Sequence, residues 1–354
     1  MLRLKFIFLL FSTITVSACS SFGYYMDLME GHSELMEQRK PVKELLAENE
    51  TKPELRELLR KSQEIRDFAS KSLDLPDNDS YRMYADLKRN YAVWNVVAAK
   101  EFSIKAKKWC FLFVGCLSYR GYFSKEAATS YANELKNKGY DVYVAGAKAY
   151  STLGWFDDPL LNTMMYKSEA YRAGIIFHEL AHQVIYIDND SAFNEAFATT
   201  VEEEGIRRWL VKDGKDENYK KYVSSKRQDT QLNHLLRTTR EKLALLYKEN
   251  VKNEEKRTAK KQIFTHMQSE YQKLKKSWGG YTAFDSWMNQ DLNNAHLLLI
   301  STYNDLVPTF KAILKNENYN LKRFYSAVEK LAKLDKEKRN IRIGENKLLA
   351  NKDQ

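Results

Sequence analysis

Cysteine is scarce in this sequence, with only three among 354 residues. A zinc site made of thiolates needs about four such ligands, so Cys110 and Cys116 cannot form one by themselves. In an oxidising compartment a close pair of this kind favours a disulfide, with two buried thiols as the alternative. The sequence also lacks internal repeats and low-complexity linkers. Its hydrophobic content of 44% is enough for a real core, which argues against disorder of the whole chain.

The N-terminus predicts an export signal. A basic start precedes an apolar run from Phe6 to Val16, which is too short to span a bilayer as a mature helix. The run ends in small residues and Cys19, a pattern that resembles the lipobox of bacterial lipoproteins. We therefore predict a signal peptide over residues 1–18 and a lipid on Cys19; the alternative is an ordinary signal with an incidental cysteine. Ser20 resembles the residue that follows the cysteine in lipoproteins of the outer membrane, so we expect an anchor there, facing the periplasm.

The net charge is positive, at +10. Most of the excess lies in the C-terminal half, where lysines alternate with acids at helical spacing, as in 252–261 and 322–347. Such runs are typical of solvated helix faces, and an exported protein rarely meets nucleic acid. We expect no nucleic-acid partner, and anionic headgroups or cell-wall polymers are the more fitting neighbours.

The hydrophobic pattern predicts a small sheet followed by helices. The predicted strands are 91–98, 111–114 and 141–145. A helix between the last two begins at Ser124 and ends at Gly139. From Glu169 onward nearly everything is predicted to be helical, and the charged stretch 228–276 could form a helical hairpin. The predicted fold is α+β and predominantly helical, with a small mixed sheet ahead of helix 175–184.

That helix carries the H-E-x-x-H pattern in His178, Glu179 and His182. Four residues turn a helix by about 400°, so the two imidazoles point the same way and can bind one metal ion. Glu179 lies beside the pair and is suited to take a proton from water. A charged trio among apolar neighbours is costly unless a cation compensates it. We predict one Zn²⁺ per chain; the alternative is two histidines satisfied by neighbouring groups.

A catalytic zinc needs a third protein ligand and an open fourth position. Glu195 lies in an apolar helix start, and its Asn-Glu pair on the next helix resembles the gluzincin arrangement. Asp188 stands six residues after His182, where metzincin-like enzymes have their third ligand. Those enzymes carry a turn glycine at the position of Ile185. We predict Glu195 as the ligand, with Asp188 as the alternative.

Longer motifs resemble a family of bacterial proteins described as putative aminopeptidases, over residues 24–310. The motifs are Trp109 to Phe123, Ala149 to Asp158, His178 to Gln183, Phe193 to Ala198 with Val201-Glu202, Asn293 to Ala295 with Tyr303, and Val307-Pro308. The resemblance implies a zincin-like fold and zinc-dependent hydrolysis of peptides. It implies that Glu179 is the general base for the attacking water and then the acid for the leaving amine.

Several further residues are candidates for substrate contacts. The oxyanion could be stabilised by Tyr150, Tyr186 or Tyr303. The α-ammonium group of an aminopeptidase substrate could pair with Asp157, Glu202 or Glu203. Asn294 could reach the cleft or satisfy neighbouring backbone, and segment 150–155 could be an edge strand for an extended peptide or a packed loop.

We divide the chain into a signal peptide (1–18), a lipidated tether (19–40), a zincin-like peptidase domain (41–320) and a charged C-terminal helix or tail (321–354). The competing interpretation is a membrane-anchored binding or assembly lipoprotein that keeps a zinc site without peptidase activity. Structural zinc sites are normally closed by four protein ligands, often cysteines. The two histidines and one acid found here favour the enzyme.

Overall fold

The computed structural model describes residues 23–111, 115–152, 156–212, 214, 216–298 and 306–352, with side chains of the last helix up to residue 344. Cys19, the predicted signal peptide and Tyr303 lie outside these residues. Within the described ranges, no helix combines the length and apolar character that crossing a membrane requires. The protein is 62% helical with small sheets, which confirms the predicted α+β, predominantly helical class.

The described residues form fourteen helices and eight strands, joined by turns and loops. The helices are α1 (23–37), α2 (Val42–Ala47), α3 (Pro53–Leu73), α4 (Lys125–Asn137), α5 (Asn162–Met165), α6 (Glu169–His182), α7 (Ser191–Val211), α8 (Asp216–Leu246), α9 (Asn253–Ser277), α10 (Asp285–Met288), α11 (Asn294–Leu298), α12 (Val307–Asn316), α13 (Leu321–Ala332) and α14 (Lys336–Lys352). The strands are β1 (Arg39–Pro41), β2 (Met83–Ala85), β3 (Val93–Lys100), β4 (Trp109–Phe111), β5 (Gly115–Leu117), β6 (Arg120–Tyr122), β7 (Tyr140–Ala147) and β8 (Leu160–Leu161).

The strands form three small sheets, all ahead of α6 in the chain. In the first, β2 pairs antiparallel with β1 and parallel with β8, so this sheet is mixed. In the second, β3 lies between β6 and β7 and is antiparallel to both. The third is the hairpin of β4 and β5. Strands 91–98 and 141–145 were predicted close to where β3 and β7 lie, whereas 112–114 fall outside the described residues.

Helix α4 has the predicted ends. Ser124 accepts a hydrogen bond from the backbone N–H of Ala127 at 3.1 Å, and Gly139 has a φ of +77°, which favours glycine. The charged stretch 228–276 lies in α8 and α9, which pack as the predicted hairpin around their own apolar cluster.

The two ends of the described chain are part of the core. Helix α1 buries Tyr24 and Leu35, and the Tyr24 hydroxyl donates to the Gly121 carbonyl at 3.0 Å. The prediction of a tether over 19–40 is therefore wrong for residues 23–40, because a free tether would bury no such side chains. Helices α13 and α14 likewise bury Phe324 and Ile343, so 321–344 is packed structure rather than a tail.

Helices α6 and α7 lie side by side at the centre of the largest apolar cluster. Helix α6 begins at Ser168, whose hydroxyl accepts from the backbone N–H of Tyr171. The helices approach closely at Gly205, where an added Cβ would lie 2.6 Å from the Phe177 ring. This contact fixes how the polar residues of α7 face those of α6.

Candidate metal centre

Helix α6 brings His178 and His182 together one turn apart. Their Nε2 atoms are 3.2 Å apart, and the two rings are nearly perpendicular at 82°. Glu195, near the start of α7, brings Oε2 within 3.2 Å of His178 Nε2 and Oε1 within 3.8 Å of His182 Nε2. His178, His182 and Glu195 therefore form a group that could hold a metal ion, with ligand atoms all within 4.8 Å of one another. It is the group of this kind found within the described part of the chain.

The donor set fits zinc. Zinc–nitrogen bonds of about 2.0–2.1 Å that meet at a tetrahedral angle separate two ligand nitrogens by about 3.3 Å. The separation of 3.2 Å between the two Nε2 atoms matches this value. Two imidazole lone pairs that face each other also repel unless a proton or a cation lies between them. Asp188, the alternative third ligand, is exposed and lies outside the group.

Asn194 explains how α7 presents Glu195. Its side-chain amide donates to the carbonyl of Ile187 at 2.8 Å, and its oxygen accepts from the N–H of Ile187 at 2.9 Å. This two-way bond ties the loop after α6 to the first turn of α7. The Asn-Glu pair seen in the sequence therefore has a physical role, because Asn194 orients the turn from which Glu195 extends.

His178 is held on its other side by Glu202. The Nδ1 atom lies 3.1 Å from Glu202 Oε2, so the carboxylate accepts the Nδ1 proton and leaves Nε2 to face the cluster. Burial alone would raise the pKa of Glu202, but the hydrogen bond and charge of His178, with Lys226 and Lys311, hold that pKa below its usual value. Glu202 was predicted as a contact for a substrate amine; the structure places it against His178 instead.

Glu179 lies next to the cluster. Burial raises its pKa, opposed by the charge of His178 and a hydrogen bond from Ser151, while the carboxylates of Glu195 and Asp158 add to the rise. A carboxylate whose pKa is raised is a better proton acceptor at neutral pH. The group is therefore suited to general-base chemistry.

Asp158 holds the loop that delivers Ser151. Its carboxylate accepts from the backbone N–H and the hydroxyl of Thr152, at 2.9 and 2.8 Å, and from the Ser151 hydroxyl at 3.1 Å. These bonds fold residues 150–152 into a loop, which is the second of the two alternatives for this segment. Residues 153–155 lie outside the described chain. The sequence prediction named Asp157, which is exposed, because spacing cannot tell which of two adjacent aspartates turns inward.

Three other candidates have different surroundings. The hydroxyl oxygen of Tyr150 lies 3.1 Å from His32 Nδ1. Tyr186 packs edge-on against His182, with ring centroids 6.1 Å apart. Asn294 is fully buried, accepts from the Tyr247 hydroxyl at 2.7 Å and donates to the carbonyl of Glu101 at 2.9 Å, so it satisfies backbone and does not reach the site.

Sequence reasoning missed two tyrosines near the cluster. Burial raises the pKa of Tyr119 to about 12, and the charges of Glu195 and Glu179 contribute. Tyr81 is buried beside Glu179 and Asp158, and its hydroxyl has no hydrogen-bond partner among the described residues. Tyr119 belonged to one of the long motifs, but nothing in its spacing linked it to the histidines.

The hairpin of β4 and β5 lies beside the loop after α6. A disulfide joins Cys110 and Cys116, as the sequence predicted, and Cys110 pairs with Cys116 across the two strands. The amide oxygen of Asn189 accepts from the N–H of Cys116 at 3.5 Å. The crosslinked hairpin is thereby attached to the segment that connects α6 to α7.

Fold and site together define a predominantly helical α+β protein in which two consecutive helices join two histidines and a glutamate. The chain belongs to the family described as "Putative aminopeptidase", whose model matches residues 23–343. The family resemblance is thus confirmed, and it extends past residue 310. Membership in a peptidase family implies peptides as substrates. Searches of curated proteins and of solved structures found no match.

Proposed function

We propose that this protein is a zinc-dependent peptidase of the bacterial envelope, anchored by a lipid on Cys19 and acting by aminopeptidase-type cleavage. The observation that carries the proposal is the convergence of His178 Nε2, His182 Nε2 and a Glu195 carboxylate oxygen beside Glu179. The lipobox-like start of the chain supports the envelope location.

His178, His182 and Glu195 would hold the zinc ion. When bound, zinc would act as a Lewis acid that polarises a peptide carbonyl and acidifies water. Glu202 would keep His178 in the tautomer that leaves Nε2 free, because its carboxylate takes the Nδ1 proton.

Glu179 would take the proton from the attacking water and return it to the leaving amine. Its raised pKa suits both halves of this exchange. The Ser151 hydroxyl would lie between Glu179 and Asp158 and donate its one proton to either carboxylate, which would keep Glu179 in place.

Peptide hydrolysis by the purified soluble chain, from Ser20 onward, tests the proposal. We expect wild type to cleave members of a mixed peptide library, and Glu179→Gln to lose activity by about 10²-fold or more. Glu57→Gln is the control and should retain activity, because this exposed carboxylate of α3 pairs with Arg60 and lies outside the ligand group.

The cleavage positions decide between two forms of the activity. Removal of single N-terminal residues would support the aminopeptidase form, and internal cuts would support an endopeptidase. A chain that binds zinc and peptide but cleaves nothing would contradict the proposal and favour the binding lipoprotein.

A further inference from the structure

A cavity of about 410 Å³ lies beside the metal centre. Ser151, which forms a hydrogen bond with Glu179, lines this cavity. Tyr119 also lines it and lies close enough to Glu195 and Glu179 for their charges to raise its pKa. The cavity therefore borders the surroundings of Glu179, next to the place where a scissile bond would lie. Its volume falls in the range of roughly 300–1,000 Å³ that is typical of ligand pockets.

The walls of this cavity are aromatic and uncharged. The rings come from α1, the disulfide hairpin, β6 and the loop after β7, namely Tyr24, Tyr25, Phe111, Tyr119, Tyr122, Phe123 and Tyr150. No described residue that lines it is charged. A second cavity of about 550 Å³ is lined by His178, Glu179 and Glu202. It differs because the charged residues Lys221, Lys226 and Asp229 also line it.

Small residues of the second sheet form the floor of this cavity and leave it open. Gly121 and Ala147 lie on either side of β3, next to Asn95 and Val93 in the strand pairing. A Cβ added at Gly121 would meet only the Asn95 amide oxygen, at 3.4 Å, so a side chain there would extend into the cavity. The opposite face of β3 packs on α4 through Trp94 and Val96.

Two polar groups of the cavity have no partner within the described chain. Neither the Asn95 amide nor the Tyr119 hydroxyl forms a side-chain hydrogen bond to another described residue, although both residues are partly buried. An apolar cavity with a few polar groups is the arrangement expected of a ligand site. A substrate that fills the cavity could satisfy both groups.

We propose that this cavity binds a large apolar side chain, preferably aromatic, of the residue next to the scissile bond. The inference rests on the proposed peptidase function and adds a substrate class to it. Aromatic walls favour an aromatic occupant through edge and offset-stacked contacts, and the absence of charge disfavours lysine, arginine and acids.

Matched peptides that carry Phe or Ala at the position next to the cleaved bond test the proposal. We expect wild type to prefer Phe by about 10- to 200-fold in kcat/KM. Gly121→Val fills the floor of the cavity and should remove most of this preference. It should lower kcat/KM for the Phe peptide, while kcat/KM for the Ala peptide changes less than about threefold. Gly121→Ala should lie between them.

Ala147→Leu narrows the cavity from the other side of β3. This variant replaces Gly121→Val in the test if Gly121→Val fails to fold. Equal use of Phe and Ala by wild type, or an equal loss for both peptides in a folded variant, would overturn the cavity proposal while leaving the peptidase function intact.

The cavity can also be tested without turnover, by calorimetric binding of the same two peptides to Glu179→Gln. Tighter binding of the Phe peptide, lost in Glu179→Gln/Gly121→Val, would support the cavity even if wild type cleaved nothing. Equal binding of both peptides would contradict it.

Discussion

His178 is contacted at both ring nitrogens by carboxylates of α7. Nε2 lies 3.2 Å from Glu195 and Nδ1 lies 3.1 Å from Glu202. Such pairs fix the tautomer and the orientation of a ligand histidine. The affinity for zinc should therefore depend on Glu202, which is not itself in the ligand group.

We predict that Glu202→Ala raises the Kd for zinc about 10- to 100-fold, because His178 loses the acceptor of its Nδ1 proton. Competition with a chelating dye measures this change. Glu203→Ala is the control, since the neighbouring carboxylate pairs with Lys226 and Lys311 rather than with His178. Equal affinities of the two variants would contradict the role given to Glu202.

A second prediction concerns His296, which is buried and stacks on Tyr143 with ring centroids 4.1 Å apart. Burial lowers its pKa to about 4. Between about pH 6.5 and 4 the unfolded chain binds this proton and the folded chain does not, so stability falls with falling pH by at most about 1.4 kcal/mol per unit.

His296→Phe keeps an aromatic ring but does not titrate. Denaturant unfolding at pH 7 and pH 5 should show a smaller loss of stability for the variant than for wild type. An identical loss would mean that His296 is not held neutral in the folded protein.

At the residue scale, helical periodicity predicted that His178 and His182 lie close together, because one helix carries both. The spacing of His178 and His182 on a helix sets their geometry directly. Asn294 was a poor candidate because its environment depends on a distant chain segment: its amide donates to the Lys100 carbonyl.

At the scale of elements, the closeness of α6 and α7 depends on Gly205. An added Cβ there would lie 2.6 Å from the Phe177 ring and 2.8 Å from Leu73. The two helices carry all the groups of the proposed centre, so a shift between them would also disturb the ligands.

We predict that Gly205→Ala lowers the free energy of unfolding by about 1–3 kcal/mol through overpacking. Gly344→Ala is the matched control, because no heavy atom lies within 4 Å of the added Cβ in α14 and alanine favours helix. Urea titration of the two variants compares them. A Gly205→Ala protein as stable as wild type would show that α6 and α7 can accommodate the added methyl group without loss of stability.

Most elements could be predicted because their signals are local. Ser124 and Gly139 mark the ends of α4, and aromatic and β-branched residues mark β3 and β7. The loop at 150–152 was not predictable in this way, since its shape depends on hydrogen bonds to Asp158.

At the scale of the whole molecule, the C-terminal helix reaches the helix that bears Glu195. Arg339 of α14 is buried and pairs with Asp190 at 2.7 Å, directly before α7, and its guanidinium also donates to the Leu334 carbonyl. Removing one partner of a buried pair leaves the other charge uncompensated.

We therefore predict that Arg339→Met lowers the free energy of unfolding by about 3–5 kcal/mol. Lys338→Met is the neighbouring control, because Lys338 is exposed and its pair with Asp335 lies at the surface. Thermal or urea unfolding distinguishes the two, and comparable stabilities would contradict the role of Arg339.

The packing of both ends is what sequence reasoning missed at this scale. The charges of α14 recur at helical spacing, yet they do not reveal which surface that helix covers, and residues 23–37 of α1 were assigned to a tether. Tyr24 packs against Tyr122, and Arg339 reaches Asp190, through contacts between residues far apart in the chain.

Zinc content tests the central claim most directly. The soluble chain from Ser20 onward should bind about one zinc ion, and Glu179→Gln should retain it. Glu195→Ala should lose most of it, because Glu195, unlike Glu179, belongs to the ligand group. Elemental analysis after dialysis gives the stoichiometry of each. Wild type without zinc after exposure to the metal, or Glu195→Ala with full zinc content, would contradict the account.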